Sequence, residues 1–172
     1  LEGLDIGDGV EAGLARGWMD KVHRGFFTEV CDGLRDTYDV VSMCHYLEHT
    51  IDPRAEIAAA NMVLQEQGLL LIEVPDPESP FIPFLGKYWM PWFQPQHLHF
   101  IRTAQLSTLL YDAGFEPLEW HTGKANTGND FTLSIYGFMS GIAPSLHVPW
   151  RPKPNLFERL RHMVVWGPGL VF

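Results

Sequence analysis

Histidines and acids fall at three places along this chain where their spacing allows chemistry. His45-Tyr46-Leu47-Glu48-His49 fits H-x-x-E-H, the inverted zinc-hydrolase pattern, in which two histidines hold the metal and the glutamate acts as general base. That use requires one continuous helix carrying both imidazoles on the same face. Here the motif follows directly on the apolar run Asp39–Met43, and a new helix starts only at Asp52-Pro53. The two rings are therefore not expected to share a face. No metal is expected, and Glu48 and His49 are expected to pin the turn by hydrogen bonds. A zinc hydrolase built on His45, Glu48 and His49 is the rival reading.

The second place is Gln96-His97-Leu98-His99-Phe100. On an extended segment, rings at i and i+2 point the same way. An imidazole titrates near neutral pH, so His97 is a candidate to deprotonate or orient a hydroxyl. Its plainer role is to hold the neighbouring segment onto the core. The third place is Asp5, the acid at the end of Leu1–Ile6, which reads as a short strand. In a nucleotide-binding α/β fold an acid there accepts hydrogen bonds from both ribose hydroxyls. Its plainer role is to cap a helix starting near Asp8.

The elements that position these groups read as alternating strands and helices. Asp39–Met43 has the β-branched pattern of a buried parallel strand. Asp52 caps the following helix and Pro53 suits its first turn, with Ile57, Ala60 and Leu64 on the inward face. Gly68–Val74 is the next strand, stopped by Pro75-Asp76-Pro77. Upstream, strands over Leu1–Ile6 and Lys21–Arg24 flank a helix over Val10–Gly17, with Leu14 and Ala15 inward and Gly17 as its stop. Gly25-Phe26-Phe27 is the turn after the second strand. Thr103 caps a helix carrying Leu106, Leu109, Leu110 and Ala113, ended by Gly114. Phe115–His121 and Phe131–Phe138 are predicted as a strand pair joined by the loop 122–130. This order predicts an α/β fold with a parallel sheet, whose ligands bind beyond the carboxyl ends of the strands. Residues 75–100 form a Pro-rich insertion with Phe81, Phe84, Tyr88, Trp89, Trp92 and Phe93. A helix is predicted over Asn155–Trp166.

Taken in order, Tyr38-Asp39-Val40-Val41, Leu47-Glu48-His49 and Asp52-Pro53 resemble the middle of a class I S-adenosylmethionine-dependent methyltransferase, of the type 11/23-like kind. Where that family carries Leu-Lys-Pro-Gly-Gly, this chain has Leu64-Gln65-Glu66-Gln67-Gly68, a change in a turn. The resemblance runs from Leu1 to about Tyr136. It implies a Rossmann-like, mostly parallel sheet with a terminal antiparallel strand pair, N-terminally incomplete. The domain is expected over 1–140, with an extension over 141–172. The family's glycine-rich loop is expected upstream of Leu1, so the chain alone is expected to be poorly stable and to bind cofactor weakly.

The same resemblance assigns roles. Gly3-Leu4-Asp5-Ile6 matches the family's ribose-binding acid at Asp5, with Ile6 against the adenine. Gly25-Phe26 stands where the family often has Gly-Asp beside the adenine, so Phe26 would offer stacking. Met43, Cys44 and His45 would border the methionine part of S-adenosylmethionine. Tyr88, Trp89, Trp92 and His97 would line the acceptor side, which favours a bulky apolar or aromatic small molecule. His97 matches the family's histidine before an aromatic and a helix cap. A non-catalytic methyltransferase-like binding domain is a further alternative.

Composition bounds the rest. The 172 residues are 46% hydrophobic and 19% charged, suited to one soluble domain with a sizeable core. A net charge of −9 argues against a general nucleic-acid binder. Two cysteines, Cys31 and Cys44, fit a reducing cytoplasm rather than a disulfide framework. No signal peptide or spanning apolar run is evident. From Arg151 onward there are four basic residues and one Glu. With Leu156, Phe157, Leu160, Met163 and Val164 on one face, this end can lie on an anionic membrane or dock on its own domain.

Overall fold

The computed structural model describes residues 1–92, 95–122, 127–146 and 153–167. In chain order the first elements are β1 (Glu2–Asp5), α1 (Gly9–Ala15), β2 (Lys21–Arg24), α2 (Phe27–Val30), β3 (Tyr38–Cys44), α3 (Pro53–Val63) and β4 (Leu64–Glu73). Then come α4 (Ile82–Leu85), α5 (Thr103–Asp112), α6 (Thr127–Ile142) and α7 (Leu156–Trp166). Short 3₁₀ turns cover Cys31–Leu34, Leu47–His49, Gly86–Tyr88 and Met90–Trp92.

The chain forms two compact units. One comprises Leu1–Asp76 with Gln96–Trp120; the other comprises Pro77–Pro95 with His121–Phe172. The aromatic insertion thus belongs with the C-terminal third of the chain.

In the first unit, β1 pairs in parallel with β2, from Glu2↔Lys21 to Asp5↔Arg24. β3 pairs in parallel with β4, from Val40↔Leu69 to Cys44↔Glu73. Each pair is a strand–helix–strand crossover, as alternating elements of this length require. Among the described residues each sheet has two strands only, small for a Rossmann-like sheet. One face of the β3–β4 pair, with Val41, Met43, Leu70 and Ile72, packs on the core formed with Leu47, Ile57, Ala60, Val63, Leu106 and Leu110. The opposite face exposes Val40, Leu69 and Leu71.

Local signals explain most element ends. Asp52 Oδ1 accepts the amides of Arg54 and Ala55 at 3.0 and 3.2 Å, capping α3. Gly17 and Gly114, both at positive φ, end α1 and α5. Three expectations are corrected. Thr103 is the first residue of α5 rather than its cap; Gln105 Oε1 instead accepts the Arg102 amide at 3.1 Å. On α1 the buried residues are Val10 and Gly13, while Leu14 and Ala15 face out. The Met19 thioether packs against Gly13 and Gly3, filling the space between α1 and β1.

The third correction is larger. The terminal antiparallel pair does not form: 115–121 has no regular structure, and Phe131–Phe138 lies inside α6. The buried residue of that stretch is Ser134, whose Oγ donates to the Asp130 carbonyl at 2.6 Å and accepts the Met90 amide at 2.7 Å. In this second unit Tyr88 packs edge-on to Phe138, and the Trp166 indole donates to the Ala143 carbonyl at 2.8 Å. No helix among the described residues is long and apolar enough to cross a membrane.

Candidate functional site

The carboxyl ends of β1 and β2 lie side by side, so Asp5, Ile6, Gly25 and Phe26 gather at one sheet edge. The Asp5 carbonyl accepts the Gly25 amide at 3.2 Å. Gly25 has φ +142°, a conformation that side chains rarely adopt. The Asp5 side chain is exposed, and its Oδ1 accepts the Gly7 amide at 2.6 Å. That bond shapes the turn into α1. Ile6 and Phe26 hold large apolar surfaces in solvent, 60% and 51% exposed. An exposed carboxylate and two uncovered apolar groups at one sheet edge suit a ribose with its attached base. The residues present therefore fit the nucleoside half of S-adenosylmethionine.

The end of β3 supplies the next group. The Met43 side chain is buried in the core, so that position can meet a ligand only through its backbone. Cys44 is exposed. His45 takes φ +49°, with Nδ1 3.2 Å from Glu48 Oε1 and Nε2 3.1 Å from Glu73 Oε1. Two carboxylates thus orient its ring. Sequence reasoning missed Tyr46, whose hydroxyl donates to Glu56 Oε2 at 2.9 Å. Burial pushes the Tyr46 hydroxyl well above the usual tyrosine range; the Glu56 charge and hydrogen bond, and the more distant Asp5 charge, add to the rise. Burial likewise raises the Glu56 carboxyl, partly offset by the Tyr46 hydrogen bond. The sign of this pair in the sequence is an acid, Glu56, next to Ile57 on the inward face of α3.

The H-x-x-E-H stretch does not form the helix that a zinc hydrolase of that pattern needs. His45 precedes it at positive φ, and only Leu47–His49 makes a 3₁₀ turn. Glu48 and His49 do pin the loop. The Glu48 carbonyl accepts the amides of Leu98 and His99, and His49 Nδ1 donates to the Gln96 carbonyl at 2.9 Å. These bonds bring His97 beside His49, with ring centroids 4.7 Å apart. His99 turns elsewhere and lines a cleft with Asp52, Arg54 and Gln105.

The remaining acceptor-side candidates lie in the second unit. Trp89 is buried and stacks edge-on with Trp92, whose indole donates to the Gly86 carbonyl at 3.1 Å. Tyr88 sits over Gly137 and Gly141, where a side chain on Gly141 would collide with its ring. Trp89 and Tyr88 thus serve first as packing groups of that unit. Phe93 lies outside the described residues.

No curated protein matches the sequence. The chain is similar in fold to a SAM dependent methyltransferase from Archaeoglobus fulgidus, at 17% identity and a TM-score of 0.53, covering 78% of this chain and 67% of that one. It is also similar to the YcgJ protein from Bacillus subtilis, at 13% identity and a TM-score of 0.55, covering 83% and 67%. The family model for a methyltransferase domain matches residues 1–119, which include Asp5, Gly25, the end of β3 and His97. The chain therefore belongs to the methyltransferase domain family and has the α/β fold of the class I, S-adenosylmethionine-dependent members.

Proposed function

We propose that this chain transfers the methyl group of S-adenosylmethionine to an oxygen, nitrogen or carbon nucleophile on a bulky apolar or aromatic small molecule. The observation that carries the proposal is that Asp5, Ile6 and Phe26 are all exposed at the edge where β1 and β2 end. When bound, S-adenosylmethionine supplies a methyl carbon activated by its sulfonium. Asp5 accepts the ribose hydroxyls, Ile6 and Phe26 cover the faces of the adenine, and Gly25 lets the backbone pass close. Cys44, His45 and the Met43 backbone border the methionine part. Proximity and alignment supply most of the acceleration, so a base is optional. His97 orients the acceptor, and the aromatic content of residues 77–92 favours an apolar one. The two free cysteines, Cys31 and Cys44, support work in the reducing cytoplasm.

The test is conversion of S-adenosylmethionine to S-adenosylhomocysteine, followed by mass spectrometry, over a panel of phenols, aromatic amines and small aliphatic acids. Transfer to the aromatic members alone is expected. Transfer confined to the acids would remove the apolar acceptor. Binding without transfer to any acceptor would favour the non-catalytic domain.

A further inference from the structure

Glu48 is the group that the proposed reaction leaves unexplained. Its side chain is 1% exposed. One oxygen, Oε1, has His45 Nδ1 at 3.2 Å and His49 Nε2 at 4.0 Å. The other, Oε2, is buried and has no hydrogen-bond partner among the described residues. A carboxylate taken out of water needs donors or a cation at both oxygens, and leaving one bare is costly.

What stands beside it is a donor set. A carboxylate oxygen of Glu48 and one ring nitrogen each of His49 and His97 all lie within 4.8 Å of one another. The His49 tautomer follows from its partner. A carbonyl can only accept, so Nδ1 carries the proton given to Gln96, and Nε2 of the neutral ring keeps its lone pair. Metal-binding histidines are commonly oriented by this kind of second bond. The amides of Leu98 and His99 on the Glu48 carbonyl fix the two segments that carry the ligands. Bonds of about 2.0–2.2 Å in tetrahedral geometry place ligand atoms roughly 3.3 Å apart. Small side-chain rotations close the difference.

We propose that Glu48, His49 and His97 form a three-ligand site for a divalent transition-metal ion of the zinc type. Two imidazoles and one carboxylate favour zinc or cobalt over magnesium, which prefers oxygen ligands throughout. His49 is 40% exposed, so the remaining coordination positions open to solvent and can take water or an oxygen of a small molecule. With the ion bound, His97 is a ligand, and the ion takes over the orienting role given to that ring above. The site stands or falls separately from cofactor binding at Asp5, because its readout is the metal.

The experiment is calorimetric titration of zinc into the metal-stripped 172-residue chain, with cobalt followed by its visible ligand-field absorption. One equivalent of zinc is expected to bind, with magnesium failing to compete. His97→Ala and Glu48→Gln should each weaken zinc at least tenfold and change the cobalt spectrum, with near-ultraviolet circular dichroism unchanged. If Glu48→Gln does not fold, His97→Ala carries the test, since His97 lies on a partly exposed surface segment. No zinc binding by the folded chain, or affinity within twofold of wild type in His97→Ala, would overturn the site.

Discussion

The Gly25 amide donates to the Asp5 carbonyl at 3.2 Å, and this bond ties the carboxyl ends of β1 and β2 into one edge. It places Phe26, the residue after Gly25, at the same edge as Asp5, and both stay exposed. Phe26→Ala is therefore expected to weaken S-adenosylhomocysteine about 2- to 12-fold, the value of an aromatic stack of about 0.5–1.5 kcal/mol. The melting temperature should barely move, because the ring is half in solvent. Lost stability with unchanged affinity would make Phe26 a packing residue instead.

The turn into the β3-paired part of β4 carries a second prediction. Gln67 adopts φ +65°, at a position where the family's motif offers glycine. The left-handed conformation costs a residue with a side chain about 1–2 kcal/mol, and glycine gives back about 0.5–1 kcal/mol as chain entropy. Gln67→Gly should thus raise stability by about 0.5–1 kcal/mol in denaturant unfolding. A lowered midpoint would show that the Gln67 side chain contributes contacts that offset its strain.

Acid and alkali should act on one cluster at the start of β1. Glu2 Oε2 accepts the Tyr38 hydroxyl at 2.5 Å and lies 2.7 Å from His23 Nε2. These bonds, Tyr38 first, hold the Glu2 carboxyl down at about 2, against the ordinary 4.5. A depressed carboxyl contributes stability above its unfolded value and loses it as pH falls through the folded one. The Glu2 contribution is therefore complete above pH 4.5 and gone below about 2. Burial first, then Glu2, pushes Tyr38 up to about 12 from 10.0, so its contribution holds below pH 10.0 and is lost as pH rises through about 12. Thermal unfolding across these ranges should show Glu2→Gln with a shallower acid limb. An acid limb identical to wild type would contradict the assignment.

The C-terminal helix offers a surface test. α7 exposes Leu156, Phe157, Leu160, Met163 and Val164, with Arg159 and Arg161 on the same helix. An apolar stripe with basic neighbours favours anionic lipid. The chain is expected to sediment with phosphatidylserine vesicles but not with neutral ones, and Leu160→Asp with Val164→Asp should abolish this. Recovery with neither vesicle type would leave α7 as a helix of its own unit, and equal recovery with both would remove the preference for anionic lipid.

Much of this architecture was legible because its signals are local. The apolar run at Asp39–Met43 and the Asp52-Pro53 start predict β3 and α3 closely, and strand ends identified the Asp5–Gly25 edge. Phe131–Phe138 misled because its apolar residues alternate like a strand. The helix turns small residues toward its neighbours instead: buried Ser134 meets Met90, and Gly137 and Gly141, at i+3 and i+7, meet Tyr88. Apolar periodicity does not see such a stripe. The helix α2 was missed for a related reason, since one residue, Phe27, buries it. His49 was paired in sequence with His45, four residues away, whereas its neighbour in space is His97, which no short-range pattern could reveal.

Cofactor binding rests on Asp5. Calorimetric titration of S-adenosylhomocysteine into the chain, wild type beside Asp5→Ala, tests it most directly. Weak but saturable one-to-one binding is expected, weakened at least a further tenfold in the variant, because charge-assisted hydrogen bonds to the ribose, each worth about 1.5–3 kcal/mol, are lost. Equal affinity in the two proteins, or no binding by the folded wild type, would contradict it.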